Sequence, residues 1–427
     1  MTTLRTTQWR AGNKLRLLEN GDEFYPRVFQ SIKAAKREVL IETFIFFEDE
    51  VGNALRDLLV ETASKGVRVC VTVDGYGSPD LTTEFIASMA TAGVQFQIFD
   101  PRPKLLGMRT NLFRRLHRKI VVIDGALAFI GGINFSEDHL MYSGSGASSK
   151  AHSKAKQDYA VEITGPVVED IHLFTRTTFH QEDHLQDPHK PWFRRHGKPV
   201  EQIDSSRGPS STGPSARVLF VTRDNEQHQD DIEKQYLAAI RKARHKLIIA
   251  NAYFFPGYRL LKAISNAARR GVDVVLILPG KTDMPIAMTG AHMLYDHLLK
   301  AGVRIYEFQH QEFHGKVAVI DDEWATVGSS NLDPLSLSFN LEANIIIRDP
   351  EFNQQLEGSL RALLQKTCLK VDIRLAPRRT LWRMFLGFFV FHLLRHFPIW
   401  AVRMPKRTPK LNILHKQKNI LEKINHA

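Results

Sequence analysis

The chain has 427 residues, 43% hydrophobic and 24% charged. That is ordinary globular composition: it excludes a mostly disordered chain and a polytopic membrane protein, and it allows two or three domains. Lys and Arg exceed Asp and Glu by 58 − 46 = 12, which favours a polyanionic partner such as nucleic acid, an acidic membrane or a phosphorylated substrate.

From the N-terminus, residues 1–19 lack the apolar run of a secretory signal. RVFQSIKAAKR (27–37) has helical apolar spacing, EVLIETFIFF (38–47) reads as a strand, VGNALRDLLVETASKG (51–66) as a helix and 67–73 as another strand. Ala-Gly-Val at 92–94 leads into a further strand. The order then recurs. IEKQYLAAIRKARHK (232–246) is a helix, LIIANAYFF (247–255) a strand, RLLKAISNAARRG (259–271) a helix and 272–278 a strand, with Ala-Gly-Val again at 301–303. Helix–strand–helix–strand in both halves argues α/β layers and a duplicated domain, whose site can lie on a pseudo-twofold axis.

The expected organisation is an N-terminal lobe over 8–200, a Ser/Gly/Pro-rich linker over 201–216, a C-terminal lobe over 217–377 and a basic, aromatic tail over 378–427. The Ser/Gly/Lys-rich stretch 143–156 reads as a loop. Cys70 and Cys368 are too few for a disulfide framework or a thiolate metal site, so both are expected as small core residues in a reducing compartment.

Near the end of each half one constellation appears. His117, Lys119 and Asp124 precede Gly131-Gly132-Ile133-Asn134; His314, Lys316 and Asp321 precede Gly328-Ser329-Ser330-Asn331. Both fit H-x-K-x4-D-x6-G-[GS]-x-N. One copy would be a weak signal, but two at matching repeat positions make chance implausible. Strand alternation from 117 to 123 puts His117 and Lys119 on one face. Asp124-Gly125 reads as a hairpin turn into an antiparallel return. Asp124 and Asp321 have the wrong parity for the reactive face and are expected to support it rather than react.

Two imidazoles, two ammoniums and two carboxamides suit a phosphoryl group. Lys119, Lys316, Asn134 and Asn331 would stabilise the non-bridging oxygens. One histidine would attack phosphorus and the other would exchange protons with the leaving and entering oxygens. A carboxylate would fix the tautomer of the attacking histidine. Asp158 and Glu342, each opening a strand after its motif, are the candidates. No carboxylate cluster or Cys/His spacing suggests a metal, so chemistry without metal or cofactor is expected.

The doubled motif resembles the phospholipase D superfamily. The stretches 12–26, 41–52, 74–81, 99–125, 251–259 and 314–344 are similar to its bacterial cardiolipin-forming branch, the likeness running from about residue 8 to 400. The resemblance implies two phospholipase D-like lobes, each a mixed β-sheet flanked by helices, about a pseudo-twofold axis. It implies a phosphohistidine on His117, with His314 as acid and base. It implies phosphatidyl transfer from one phosphatidylglycerol to another, releasing glycerol. Gly132 departs from the family, which commonly has Ser there; Ser329 is expected to compensate. Hydrolysis of phospholipid and cleavage of nucleic acid are the alternatives within the superfamily.

The C-terminus separates these readings. LWRMFLGFFVFHLLRHFPIWA (381–401) is rich in Phe, Leu and Trp, but Arg383, His392, Arg395 and His396 interrupt it. Its apolar run, 384–391, is far short of the ~20 residues of a spanning helix. An interfacial segment with snorkelling cations fits better. Residues 102–115 likewise mix cations with Leu, Met and Phe just before His117. The expected partner is therefore anionic phospholipid, not nucleic acid, at the cytoplasmic side of the inner membrane.

Overall fold

A computed structural model describes residues 8–101, 114–143, 150–151, 155–180, 216–281, 285–372 and 411–414. The first half runs β1 (Arg10–Glu19), α1 (Asn20–Lys33), β2 (Glu38–Thr43), α2 (Glu50–Ser64), β3 (Arg68–Asp74), α3 (Thr83–Thr91), β4 (Gln95–Phe99), β5 (Ile120–Ile123), β6 (Leu127–Gly131), β7 (Tyr159–Thr164) and α4 (Val167–His180). The second repeats it: β8 (Ala216–Arg223), α5 (Asp231–Lys242), β9 (Lys246–Asn251), α6 (Tyr258–Arg269), β10 (Asp273–Pro279), α7 (Pro285–Lys300), β11 (Arg304–Phe308), β12 (Lys316–Ile320), β13 (Trp324–Gly328), β14 (Glu342–Arg348) and α8 (Pro350–Lys366). Each strand of the first half thus corresponds to the strand seven later.

All fourteen belong to one sheet in the order β11-β10-β9-β12-β13-β14-β8-β1-β7-β6-β5-β2-β3-β4, symmetric about the β8–β1 junction. Within each half, strands linked through helices pair parallel (β2 with β3, β9 with β10), as crossovers require. Hairpin-linked β5 and β6, and β12 and β13, pair antiparallel. The junction is sparse: Arg10 faces Val218 and Asn13 faces Ala216, with a register irregularity between them.

What joins the halves is apolar burial. One core cluster draws Leu17, Val161 and Ile163 together with Val218, Phe220, Ile345 and Leu356, all buried. Phe174 of α4 packs edge-on against Phe220 of β8, with 5.4 Å between ring centroids. Tyr159 and Ser359 share a hydroxyl hydrogen bond of 3.0 Å between β7 and α8. Each half also has a core of its own, around Val39, Ile41 and Phe46 in the first and Ile249, Leu260 and Ile264 in the second.

Some sequence-based boundaries shift. The strands expected to continue to 47 and 255 end at Thr43 and Asn251, because the chain beyond leaves the ladder and only Phe46 and Phe254 make isolated bridges. The motif strands begin later than expected: Ile120 in the first half and Lys316 in the second. Asp124-Gly125 is the expected turn, both with positive φ (53° and 65°), as a type I′ turn demands. The linker expected through 216 gives way to β8 at Ala216, while 201–215 lie outside the described residues. So do 102–113, most of 143–156 and 381–401. In the tail, Leu411–Leu414 adds an antiparallel strand to the β4 edge, Leu411 facing Phe99. Cys70 is buried and Cys368 only half-buried; both are free thiols.

Candidate active site

Both motifs reach the junction between the halves as extended chain entering β5 and β12. There each pairs with the other half. The His117 N–H donates to Leu341 O at 2.9 Å, and the His314 N–H donates to Gln157 O at 2.8 Å. Leu341 directly precedes Glu342, and Gln157 directly precedes Asp158. The backbone therefore delivers each histidine to the carboxylate of the opposite half. His117 Nδ1 lies 2.9 Å from Glu342 Oε2, and His314 Nδ1 lies 2.6 Å from Asp158 Oδ2. An ionised carboxylate only accepts, so Nδ1 carries the proton and the Nε2 lone pair is left for chemistry.

The lysines complete the cluster. Lys119 Nζ donates to His117 O at 2.8 Å, and Lys316 Nζ donates to His314 O. Each ammonium retains two further donors. All six of these side chains are buried. Burial pushes the Lys119 ammonium down to about 7, helped by the nearby Lys316 charge, and the Lys316 ammonium down to about 8. Burial likewise lowers His117 to about 4, against the pull of Glu342, and holds His314 well below the ordinary histidine value. Both imidazoles are therefore neutral at pH 7. With both lysines protonated, two ammoniums and two carboxylates sum to zero charge. An anion entering this cluster would favour the protonated forms of the lysines and imidazoles that line it.

The carboxylates differ. Glu342 Oε2 also accepts from Ser329 Oγ at 2.5 Å; burial opposes its charge, but His117 and its other partners hold the carboxyl below its usual range. Asp158 accepts the Tyr159 N–H at 2.8 Å on Oδ1, and burial pushes its carboxyl up. Gly132 stands opposite Ser329 in the repeat. A Cβ there would lie 2.3 Å from Asp158 Oδ1, so no serine fits without moving the carboxylate. Ser329 serves Glu342 in its own half; it does not replace a hydroxyl at Gly132 as the sequence suggested.

Asn134 and Asn331 are both buried close behind the motifs. Asn134 Oδ1 accepts the Ile45 N–H at 3.1 Å, leaving its amide NH2 to donate, whereas Asn331 Oδ1 has no partner. Asp124 and Asp321 stand at the far ends of β5 and β12, about five residues or roughly 16 Å from the lysines. Asp124 accepts the N–H groups of Lys36, Arg37 and Glu38 at 2.7–2.9 Å, and Asp321 those of Arg244, His245 and Lys246 at 2.9 Å. Burial opposes their ionisation, but these three donors outweigh it and lower both carboxyls. They clamp the starts of β2 and β9 and take no place in the reactive cluster.

Three side chains were not legible in the motif. Phe44 lays its ring edge-on to His117 at 4.9 Å and under Lys119 Nζ at 5.2 Å. Asp74, buried and pushed up to about 6 by burial, accepts the Leu116 N–H at 2.7 Å and so anchors the approach to His117. His139, from the turn after Asn134, packs its ring edge-on to His314 at 5.4 Å. With Asp158 and His314 it brings ligand atoms within 4.8 Å of one another, a grouping that sequence spacing did not suggest. Only its equivalence to no motif residue in the other half could have drawn attention to it.

A family model described as "Cardiolipin synthase, PLD-like domain" matches residues 28–161 and 236–364, one span in each half. The chain is 51% identical over 405 residues to cardiolipin synthase B of Salmonella typhimurium, covering 94% of this chain and 93% of that protein. It is 51% identical over 403 residues, with the same coverage, to cardiolipin synthase B of Escherichia coli K12. A crystal structure of phosphatidylserine synthase from Haemophilus influenzae superposes with a TM-score of 0.62 at 13% identity, covering 94% of this chain and 97% of that one, and shares the fold. A duplicated phospholipase D-like frame, a paired His-Lys site across its axis and identity over nearly the whole length lead to one conclusion: this chain belongs to the cardiolipin synthase family and is a phosphatidyltransferase of the phospholipase D type.

Proposed function

We propose that the enzyme makes cardiolipin and glycerol from two molecules of phosphatidylglycerol through a phosphohistidine. Nε2 of His117 attacks phosphorus and the P–O bond to the departing glycerol breaks. His314, protonated once the phosphodiester anion has entered, gives its Nε2 proton to that oxygen. The hydroxyl of the second phosphatidylglycerol then loses its proton to His314 and attacks phosphorus, releasing His117. Lys119 and Lys316 hold the non-bridging oxygens, with the amides of Asn134 and Asn331 beside them. The observation that carries this reading is the pair of crossed His–carboxylate contacts around two buried ammoniums. No step uses a metal, and EDTA is expected to leave the rate unchanged.

On this reading the protein acts as a peripheral protein at the cytoplasmic face of the inner membrane, held by its basic surface and by residues near 381–401. Among the described residues no helix is long and apolar enough to cross a membrane. Cations near anionic lipid each contribute on the order of 1 kcal/mol, so apolar insertion and charge together give firm but reversible attachment.

The test is lipid mass spectrometry after incubating purified protein with phosphatidylglycerol vesicles. Cardiolipin and glycerol in equal amounts are expected. Phosphatidic acid as the main product would make water the acceptor and overturn the synthase reading in favour of a phospholipase D.

A further inference from the structure

Each carboxylate that orients a catalytic histidine is buried and needs more than one hydrogen-bond donor to stay ionised. Glu342 has such a donor in the Ser329 hydroxyl. Asp158 cannot have its counterpart, because Gly132 leaves no room for a side chain beside it. Yet an imidazole stands where the missing donor is needed. His139 is 1% exposed, and its Nδ1 lies 3.9 Å from Asp158 Oδ2 with no hydrogen-bond partner. Its other nitrogen fixes the tautomer. His139 Nε2 accepts the Asn134 N–H at 3.3 Å, so the ring proton sits on Nδ1, on the side of Asp158. The equivalent residue in the second half is Ser336, whose backbone N–H is bound to Asp333, and among the described residues no imidazole besides His117 is hydrogen-bonded to Glu342.

We propose that His139 is a positioning residue that replaces the missing hydroxyl of the first half, supplying Asp158 with a third N–H donor beside those of Tyr159 and His314 and so holding the Asp158–His314 pair with His314 neutral and its Nε2 free. The inference rests on the reading of His314 as the acid and base. A movement of about 1 Å closes the Nδ1–Oδ2 gap to hydrogen-bond distance. The same tautomer argues against reading the trio as a metal site. His139 would need a lone pair on both nitrogens at once, and His314 would have to surrender the proton it gives Asp158.

The consequence has a sign. The groups facing this trio are Lys316, Lys119, Lys156, His117 and the Tyr25 phenol. None of them changes when His139 is replaced. With the N–H present, the Asp158 charge is shared between two imidazoles. Without it, the whole charge acts on His314 and favours its protonated form. The acidic limb of the pH–rate profile, which reports loss of the neutral base, then moves to higher pH.

The experiment measures kcat for cardiolipin formation from pH 5 to 9 in mixed micelles of phosphatidylglycerol and detergent. H139L removes both ring nitrogens; H139N keeps an N–H donor at the Nδ1 position. H139L is expected to move the acidic limb up by roughly half to one pH unit and to lower kcat by about 3- to 10-fold. H139N should return the limb to within about 0.2 unit of the wild-type position. If H139L fails to fold by its melting curve, H139M carries the same arm. Equal loss of rate in the Leu and Asn variants with an unmoved limb would make His139 mere packing and overturn the inference. Failure of the wild-type protein to form cardiolipin would instead strike the proposed function, and the two failures are read from different samples.

Discussion

The two halves share a frame and differ at the reaction centre. Each strand of the first has its partner seven strands later, and each histidine is delivered by the same backbone bond to the opposite half. Around that common geometry the first half places Phe44, Gly132, Asp158 and His139; the second places Ala252, Ser329, Glu342 and Ser336 at the equivalent positions. A longer carboxylate goes with a hydroxyl partner, and a shorter one with a glycine and an imidazole. Duplication supplies two matched His–carboxylate pairs, but the proposed mechanism needs one group to carry the phosphatidyl moiety and another to move protons. Inequivalent surroundings let one frame serve both tasks.

The largest expected effect separates the two histidines. His117→Ala and His314→Ala should each lower transfer from phosphatidylglycerol by at least ~10³-fold. A phosphatidyl ester with a p-nitrophenol leaving group needs no proton donor. His314→Ala should therefore recover release of nitrophenolate from it, to within about tenfold of wild type, whereas His117→Ala should not. Recovery in the His117 variant instead would exchange the roles of the halves.

The crossed carboxylates come next. Glu342→Gln should behave like damage to the first-half histidine and Asp158→Asn like damage to the second, each costing roughly 10²- to 10⁴-fold. The nitrophenyl ester should then rescue Asp158→Asn more than Glu342→Gln. Rescue following the half in which each carboxylate resides would break the crossing.

A smaller effect concerns stability against pH. His117 is lowered to about 4 by burial in the folded protein, against 6.5 for the free side chain. Below pH 6.5 the unfolded chain therefore binds the extra proton and the folded one does not. Stability is full above pH 6.5 and falls as pH drops toward 4, by on the order of 3 kcal/mol from this group. His314 acts in the same direction. Melting curves from pH 7 to 4.5 should show this fall, and His117→Gln should flatten it. An unchanged slope in the variant would mean that His117 is not held neutral.

The smallest effect should be the same in both halves. Asp124→Asn and Asp321→Asn each weaken a clamp of three backbone N–H bonds and should destabilise by about 1–2 kcal/mol. The pH–rate profile should keep both limbs. Loss of a limb in either variant would bring that aspartate into the chemistry after all.

Much of this was readable in the chain. The repeat, the layer order and the twin His-Lys motifs are patterns of period two and 3.6, and local sterics and burial enforce such patterns wherever the chain goes. Strand parity alone moved Asp124 and Asp321 off the reactive face, because alternation is a property of the strand itself. Asp158 and Glu342 could be picked out as carboxylates opening strands. What the sequence left open was which histidine each would hold, since Leu341 and His117 are 224 positions apart and meet only where the halves fold together. The roles of Gly132 and His139 were hidden for the same reason. A glycine records only that a side chain is missing, and the Asp158 carboxylate that fills its space arrives from another strand. Local pattern determined the groups available for chemistry. Packing of the two halves, which no short-range pattern encodes, decided which of them touch.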